Sequence, residues 1–208
     1  MKSITHQKQS LIERLAKDIS DKFQERNNLN HTQYLKCKLG LETFLINVSK
    51  LIIIYAIAII TGLLIPTLIF HIAYMSIRIY AYGVHCNSNT VCTVVSCFIL
   101  IGIPFVLGMF HIPRVAFILM YFINYFILER YAPAATRKNG LINTSDMHKK
   151  ELRRKVLQMN FIIFITALLS PDLLVGNLLM IGTLTASMMT TPVAYKLFKN
   201  KGGIDYVI

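Results

Sequence analysis

Residues 41–80 form an uninterrupted run of about forty mainly apolar residues, LETFLINVSKLIIIYAIAIITGLLIPTLIFHIAYMSIRIY, which indicates the class of fold. A membrane-spanning helix needs about 20 such residues, so this stretch is long enough for two. Gly62 and Pro66 favour a turn near its middle, with no basic residue close by. The sequence therefore predicts spanning helices near residues 43–62 and 65–80.

The rest of the chain continues this pattern. Hydrophobic residues make up 54% of the sequence and charged residues 15%, against the quarter or so usual in soluble domains. Apolar runs predict further spans near residues 91–110, 114–130, 156–170 and 173–194. We therefore expect an all-α, polytopic integral membrane protein with about six transmembrane helices, built as one membrane domain over residues 1–208.

Basic residues are concentrated beside these apolar runs and give a formal net charge of +12. Eight of the 22 Lys and Arg lie in residues 1–40, eight in residues 130–155 and three after Tyr195. Lys and Arg beside spanning helices mark cytoplasmic segments and contact anionic lipids, so nucleic acid is not an expected partner. We therefore predict that four segments lie on the cytoplasmic side of the membrane: residues 1–40, the loop at 81–92, residues 131–155 and the tail at 196–208.

The amino-terminal segment has an amphipathic pattern. From Ser10 to Phe23, apolar residues recur at helical spacing with charged residues between them. Such a helix either packs on the rest of the protein or lies in the inner leaflet of the membrane. The pattern alone leaves both alternatives open.

Several hydrolase chemistries have no support in the sequence. It contains no H-E-x-x-H zinc motif and no G-x-S-x-G nucleophile turn, and Asp172 has no aspartate partner within the apolar runs. The four cysteines form neither a C-x-x-C pair nor a zinc-finger spacing. We therefore expect no metal, no cofactor and no disulfide framework.

A histidine and a cysteine flank the polar stretch VHCNSNTVC, residues 84–92. A Cys beside a His can act as a nucleophile and base pair. On an unbroken helix the seven-residue spacing between His85 and Cys92 would separate them by about 10.5 Å along the axis, beyond hydrogen-bond reach. The helix must therefore break between them, which Gly83, Asn87, Ser88 and Asn89 favour.

A helix that restarts after this break would place Cys92 in its first turn, with Ser88, Asn89 or Thr90 as a cap. The helix dipole and free backbone N–H groups there favour a thiolate and could hold an oxyanion, which makes Gly83, Ser88 and Asn89 candidate supporting residues. The alternatives are that Cys92 is an inert buried thiol or that Cys86 is the nucleophile. Cys97 lies within the third predicted span, where access is poor.

Two motifs carry a resemblance to a known family. The first is R-x-x-A-x-G-x-H-x-x-S-x-x-x-C from Arg78 to Cys92, and the second is Y-A-P-A-A-T from Tyr131 to Thr136, followed by Arg137 and Lys138. Together with the order of spans, they resemble the accessory gene regulator B family of bacterial quorum sensing along nearly the whole chain. Many relatives have Asp at the position of Ala135, so no carboxylate role is carried over there.

The resemblance implies a membrane cysteine endopeptidase. Such an enzyme cleaves the carboxyl-terminal part of a short amphipathic precursor peptide and forms a cyclic thiolactone or lactone. It implies Cys92 as the nucleophile and His85 as the base. It also implies a homodimer.

Basic residues around the predicted site suggest a docking surface for an acidic precursor tail. The alternative is a solvated loop that touches lipid headgroups and has no further role. The candidate docking residues are Arg78, Arg137, Lys138, Lys149, Lys150, Arg153 and Arg154.

A function from another class remains open at this point. Six spans with polar residues inside or near them, including Asn124, Asn160 and Asn177, are also compatible with a small peptide transporter that cleaves nothing. Cleavage that depends on Cys92 would separate the two hypotheses.

Overall fold

The regular structure of the chain is helical. The computed structural model describes residues 11–27, 29–84, 89–110, 112–134 and 145–198. Within these residues, an isolated parallel β-bridge joins Tyr82 to Ala134. The helices are α1 (Leu11–Asn27), α2 (His31–Ile60), α3 (Leu64–Ala81), α4 (Asn89–Cys97), a π-helical turn (Phe98–Gly102), α5 (Ile103–Leu107), α6 (Val115–Tyr131), α7 (Asp146–Leu169), α8 (Leu173–Met188) and α9 (Pro192–Leu197).

The chain divides into two compact units, residues 1–56 and 57–208, with the division inside α2. In the first unit, α1 confirms the predicted amino-terminal helix. A reciprocal pair of hydrogen bonds begins α2: the Asn30 N–H donates to Gln33 Oε1 at 3.0 Å, and the Gln33 N–H donates to Asn30 Oδ1 at 2.9 Å. This capping box explains why α2 begins at His31, well before the first predicted span.

The second unit is a bundle in which α3 and α8 pack most extensively, with α6 and α7 against them. Close approach of α3 and α8 requires a glycine, because a Cβ on Gly182 would lie 2.9 Å from the Phe70 carbonyl oxygen. The main apolar cluster draws on all four helices and on Ala132 just after α6. Its buried residues are Ile77, Ala81, Leu128, Ala132, Val156, Ile163 and Ala186.

Polar side chains also lie inside this bundle. Asn124 of α6 donates to Thr183 Oγ1 at 3.0 Å and accepts from Ser187 Oγ at 2.8 Å, and all three residues are fully buried. Asn160 of α7 is 1% exposed, and neither side-chain polar atom has a hydrogen-bond partner among the described residues.

Three helical stretches in the described part of the chain are long and apolar enough to cross a membrane: His31–Ile60, Leu64–Ala81 and Thr90–Leu107. The helices α6 and α8 have 17 and 16 residues, and α7 has 24 residues with a charged first half. The structure therefore supports a helical membrane protein, whereas the count of about six spans stays a prediction.

Several local features differ from the predicted spans. The fifth begins early, because Ser145 caps α7 and the helix starts at Asp146, inside the basic segment predicted at residues 131–155. The third contains a π-helical turn before Pro104, whose ring nitrogen has no hydrogen to donate to a carbonyl one turn earlier. The prediction of one helix over residues 173–194 is wrong, because α8 ends at Met188 and α9 begins at Pro192. Thr191 caps α9, and Pro192 takes the first helical position, where no N–H is needed.

Candidate active site

The turn after α3 leads into the predicted site. α3 ends at Ala81, and the Tyr82 N–H donates to the Arg78 carbonyl at 2.9 Å. Tyr82 and Gly83 then take positive φ values of 57° and 113°, which turn the chain out of the helix. α3 therefore ends before His85, and the next described helix begins at Asn89. Residues 85–88, where the break is predicted, lie outside the described residues.

Two distant parts of the chain hold this turn by its backbone. The Ala134 N–H donates to the Ala81 carbonyl at 2.8 Å, and Tyr82 forms the parallel bridge to Ala134. On the other side, the Val84 N–H donates to the Met189 carbonyl at 3.0 Å. The segment that ends at Val84 is therefore fixed between the Y-A-P-A element and the turn after α8.

The side chain of Arg78 contacts the segment that ends at Val84. Its Nη2 donates to the Val84 carbonyl at 3.0 Å, and its guanidinium lies 5.8 Å from the centre of the Tyr74 ring. Its Nη1 is buried without a hydrogen-bond partner among the described residues. Arg78 thus stabilises the loop backbone, while its predicted role in precursor docking stays a prediction.

Gly83 is required by this packing as well as by its φ. A Cβ at this position would collide with Arg78 Nη1 and would lie 2.7 Å from the Met189 carbonyl oxygen. The Arg78 side chain and the Met189 carbonyl therefore leave no room for a side chain at position 83. Its predicted supporting role in the site is compatible with this geometry.

An apolar cluster lies against Val84 and contains Ala134 and Tyr195, all three buried. Tyr195 belongs to α9. Burial raises the pKa of Tyr195 to about 12, and the Arg78 charge opposes this shift, so the hydroxyl is neutral at physiological pH. No sequence pattern connects Tyr195 with the site, although Thr191 and Pro192 are a local signal for the start of a separate helix.

Cys92 lies in the first turn of α4, as predicted, and its free thiol is half-buried. Cys97 is the last residue of the same helix and is also a half-buried free thiol. His85, Cys86 and Ser88 lie outside the described residues, as do Arg137 and Lys138. The approach of His85 to Cys92 and the supporting roles of Ser88 and Asn89 therefore stay predictions.

The first half of α7 carries the remaining candidate docking residues. Lys150 and Arg154 are exposed, while Lys149 Nζ lies 3.5 Å from Asp146 Oδ1. Lys155 Nζ lies 2.7 Å from Glu151 Oε1, and this contact lowers the pKa of Glu151 and raises that of Lys155.

Ser145 caps the helix, because its side chain accepts a hydrogen bond from the His148 N–H.

Arg153 connects α7 to the site. Its Nε donates to the Ala132 carbonyl at 2.8 Å, two residues before Ala134. The sequence placed Arg153 among the docking residues and gave no sign of this bond, since residues 21 positions apart are joined by the fold. Docking of the precursor to Arg153 stays a prediction.

Within the described residues, no group of three or more His, Cys, Asp or Glu side chains is placed to hold a metal ion. Instead, the Cys92 thiol lies at the start of α4, and hydrogen bonds hold the backbone of the segment that ends at Val84. The fold and its long apolar helices define a helical membrane protein.

Comparison with known proteins gives the family. The Accessory gene regulator B family matches residues 13–191. An AgrB-like protein of Listeria monocytogenes serotype 4b (strain F2365) is 35% identical over 193 residues, 92% of each chain. The accessory gene regulator protein B of Staphylococcus carnosus is 34% identical over 142 residues, 68% of this chain and 74% of the relative, and that of Staphylococcus epidermidis is 28% identical over 188 residues, 89% and 93%. No solved structure matches the chain.

The chain therefore belongs to the accessory gene regulator B family, which serves the accessory gene regulator system of quorum sensing.

Proposed function

We propose that this protein is a membrane cysteine endopeptidase that processes a short precursor peptide into a cyclic autoinducer. One observation carries the proposal: the half-buried Cys92 thiol lies in the first turn of α4, directly after a break whose upstream edge at Val84 is fixed by hydrogen bonds. His85 follows Val84 in the chain. The resemblance of the two motifs to the family supports the same pair of residues.

The reaction begins when His85 takes the proton of the Cys92 thiol, and the resulting thiolate attacks the scissile carbonyl of the precursor. Backbone N–H groups in the first turn of α4 stabilise the oxyanion that forms. His85 then donates a proton to the departing amine, the peptide C–N bond breaks, and the amino-terminal part of the precursor remains on Cys92 as a thioester.

An internal Cys or Ser of the precursor completes the reaction. Its side chain gives its proton to His85 and attacks the thioester carbonyl, the ring closes, and the Cys92 thiolate leaves. For a thiolactone, one thioester is exchanged for another, so this step nearly conserves bond energy. A site at the membrane boundary helps to exclude the water that would otherwise hydrolyse the thioester.

The exposed basic residues of α7 are proposed to attract the acidic tail of the precursor. Lys150, Arg153 and Arg154 are exposed in the described part of the chain, and anionic lipid headgroups compete for the same charges. This requires the basic segments and the site to share the cytoplasmic face of the bacterial membrane. A homodimer is part of the same proposal.

The test is co-expression with a candidate precursor, a short peptide that has an internal Cys or Ser and an acidic tail, followed by mass spectrometry of the released products. Cys92→Ala and His85→Ala should abolish cleavage while the protein remains in the membrane. Cys97→Ala is the matched control, since it removes a thiol from the same helix and should retain most activity. Cleavage by Cys92→Ala would contradict the proposal, and movement of uncleaved peptide across the membrane by that variant would favour a transporter.

A further inference from the structure

The residues after α8 contact the segment that leads into His85. The Met189 carbonyl accepts the Val84 N–H at 3.0 Å, and the side chain of Tyr195 is fully buried in one cluster with Val84 and Ala134. Val84 is the last described residue before His85. The carboxyl-terminal part of the chain therefore supports the backbone immediately upstream of the proposed base.

The orientation of α9 gives Tyr195 this position. Thr191 caps the helix and Pro192 begins it, so that α9 is a separate helix after the turn that follows α8. Tyr195 points into the cluster, whereas Val193 is 74% exposed and Leu197 is 75% exposed. The helix thus presents one large buried side chain to the site and leaves its neighbours on the outside.

We propose that Tyr195 is a positioning residue for the reaction of His85 and Cys92 and that it acts through Val84. This inference rests on the proposed function. The bulk of its ring keeps Val84 against the Met189 carbonyl and the Arg78 guanidinium, which together fix where the chain enters the loop. A shift of about 1 Å in a catalytic group can slow a reaction on the order of 10²-fold, so the loss of this support should reduce the rate of cleavage.

The test compares Tyr195→Ala and Tyr195→Phe in the full chain, in vesicles that contain the co-expressed precursor. Val193→Ala and Leu197→Ala are matched controls on the same helix. We expect the single-turnover cleavage rate of Tyr195→Ala to fall by about tenfold or more, while precursor binding is unchanged. Tyr195→Phe should restore the rate because it keeps the ring.

Three results would overturn the inference. The first is a Tyr195→Ala cleavage rate equal to that of the two controls, the second is a loss confined to precursor binding, and the third is a Tyr195→Phe variant as slow as Tyr195→Ala. If Tyr195→Ala does not accumulate in the membrane, Tyr195→Leu replaces it with the same expectation, because leucine keeps apolar bulk but lacks the reach of the ring.

Failure of this inference is distinguishable from failure of the proposed function. Retained cleavage in both His85→Ala and Cys92→Ala would remove the proposed reaction and the inference with it. Loss of cleavage in those two variants, with normal cleavage in Tyr195→Ala, would overturn the inference alone.

Discussion

At the scale of single residues, comparing Gly83 with Gly62 distinguishes the strain of a positive φ from a steric clash of the added Cβ. Gly83→Ala should abolish or strongly reduce cleavage, because its φ of 113° disfavours alanine and its Cβ would collide with Arg78 and Met189. Gly62→Ala is the matched control, since Gly62 also has a positive φ, of 71°, but nothing lies within 4 Å of its Cβ position. Cleavage rate and membrane level are measured for both variants. Equal activity in the two variants would show that the contacts of Gly83 do not matter.

Some features of the site were predictable from the sequence, and others were not. The position of Cys92 in a first helical turn followed from the spacing argument and the polar residues before it. The bond from Arg153 to the Ala132 carbonyl and the burial of Tyr195 against Val84 could not be read in the same way. They join residues that are distant in the chain, and no local pattern specifies which partner a buried side chain will meet.

At the scale of helices, two buried asparagines should respond in opposite ways to the same substitution. Asn124→Val removes hydrogen bonds to Thr183 and Ser187, so we expect a loss of about 1 kcal/mol in the free energy of unfolding. Asn160→Val removes an amide that has no partner among the described residues, so it should raise the stability by about 1 kcal/mol or more. Thermal unfolding in detergent measures both. A less stable Asn160→Val variant would mean that the amide makes a bond we have not identified.

The bounds of the helices were predictable where apolar runs and turn residues agree. The turns at residues 61–63 and 170–172 confirm this. The early start of α2 and the separate α9 were missed, although Asn30 with Gln33 and Thr191 with Pro192 are local signals for both. In each case the continuous hydrophobicity of the neighbouring span outweighed a capping pattern of a few residues.

At the scale of the whole molecule, the two ends of α7 should lie on opposite sides of the membrane. The helix has 24 residues, about 36 Å at 1.5 Å per residue. We expect its charged first half to lie at the cytoplasmic headgroups and its apolar part after Lys155 to enter the hydrocarbon core, which is about 30 Å thick. Lys149 lies near its start. Asp172 follows its end, beside the Ser170 carbonyl that accepts from Arg114 at 2.6 Å. In a cysteine-free background, Lys149→Cys should react with a membrane-impermeant thiol reagent only after the membrane is opened, and Asp172→Cys should react in intact cells. Labelling of both from the outside would contradict the predicted topology.

Cys92 is proposed to form a thioester with the precursor, and the most direct test of this proposal is to trap that thioester. A precursor whose internal Cys or Ser is replaced by Ala cannot close the ring, so the acyl-enzyme should accumulate. Mass spectrometry of the purified protein should find the amino-terminal precursor fragment on the peptide that contains Cys92, released by hydroxylamine and absent from Cys92→Ala. The same adduct on Cys86 or Cys97, or cleavage that proceeds in Cys92→Ala, would contradict the assignment of Cys92 as the nucleophile.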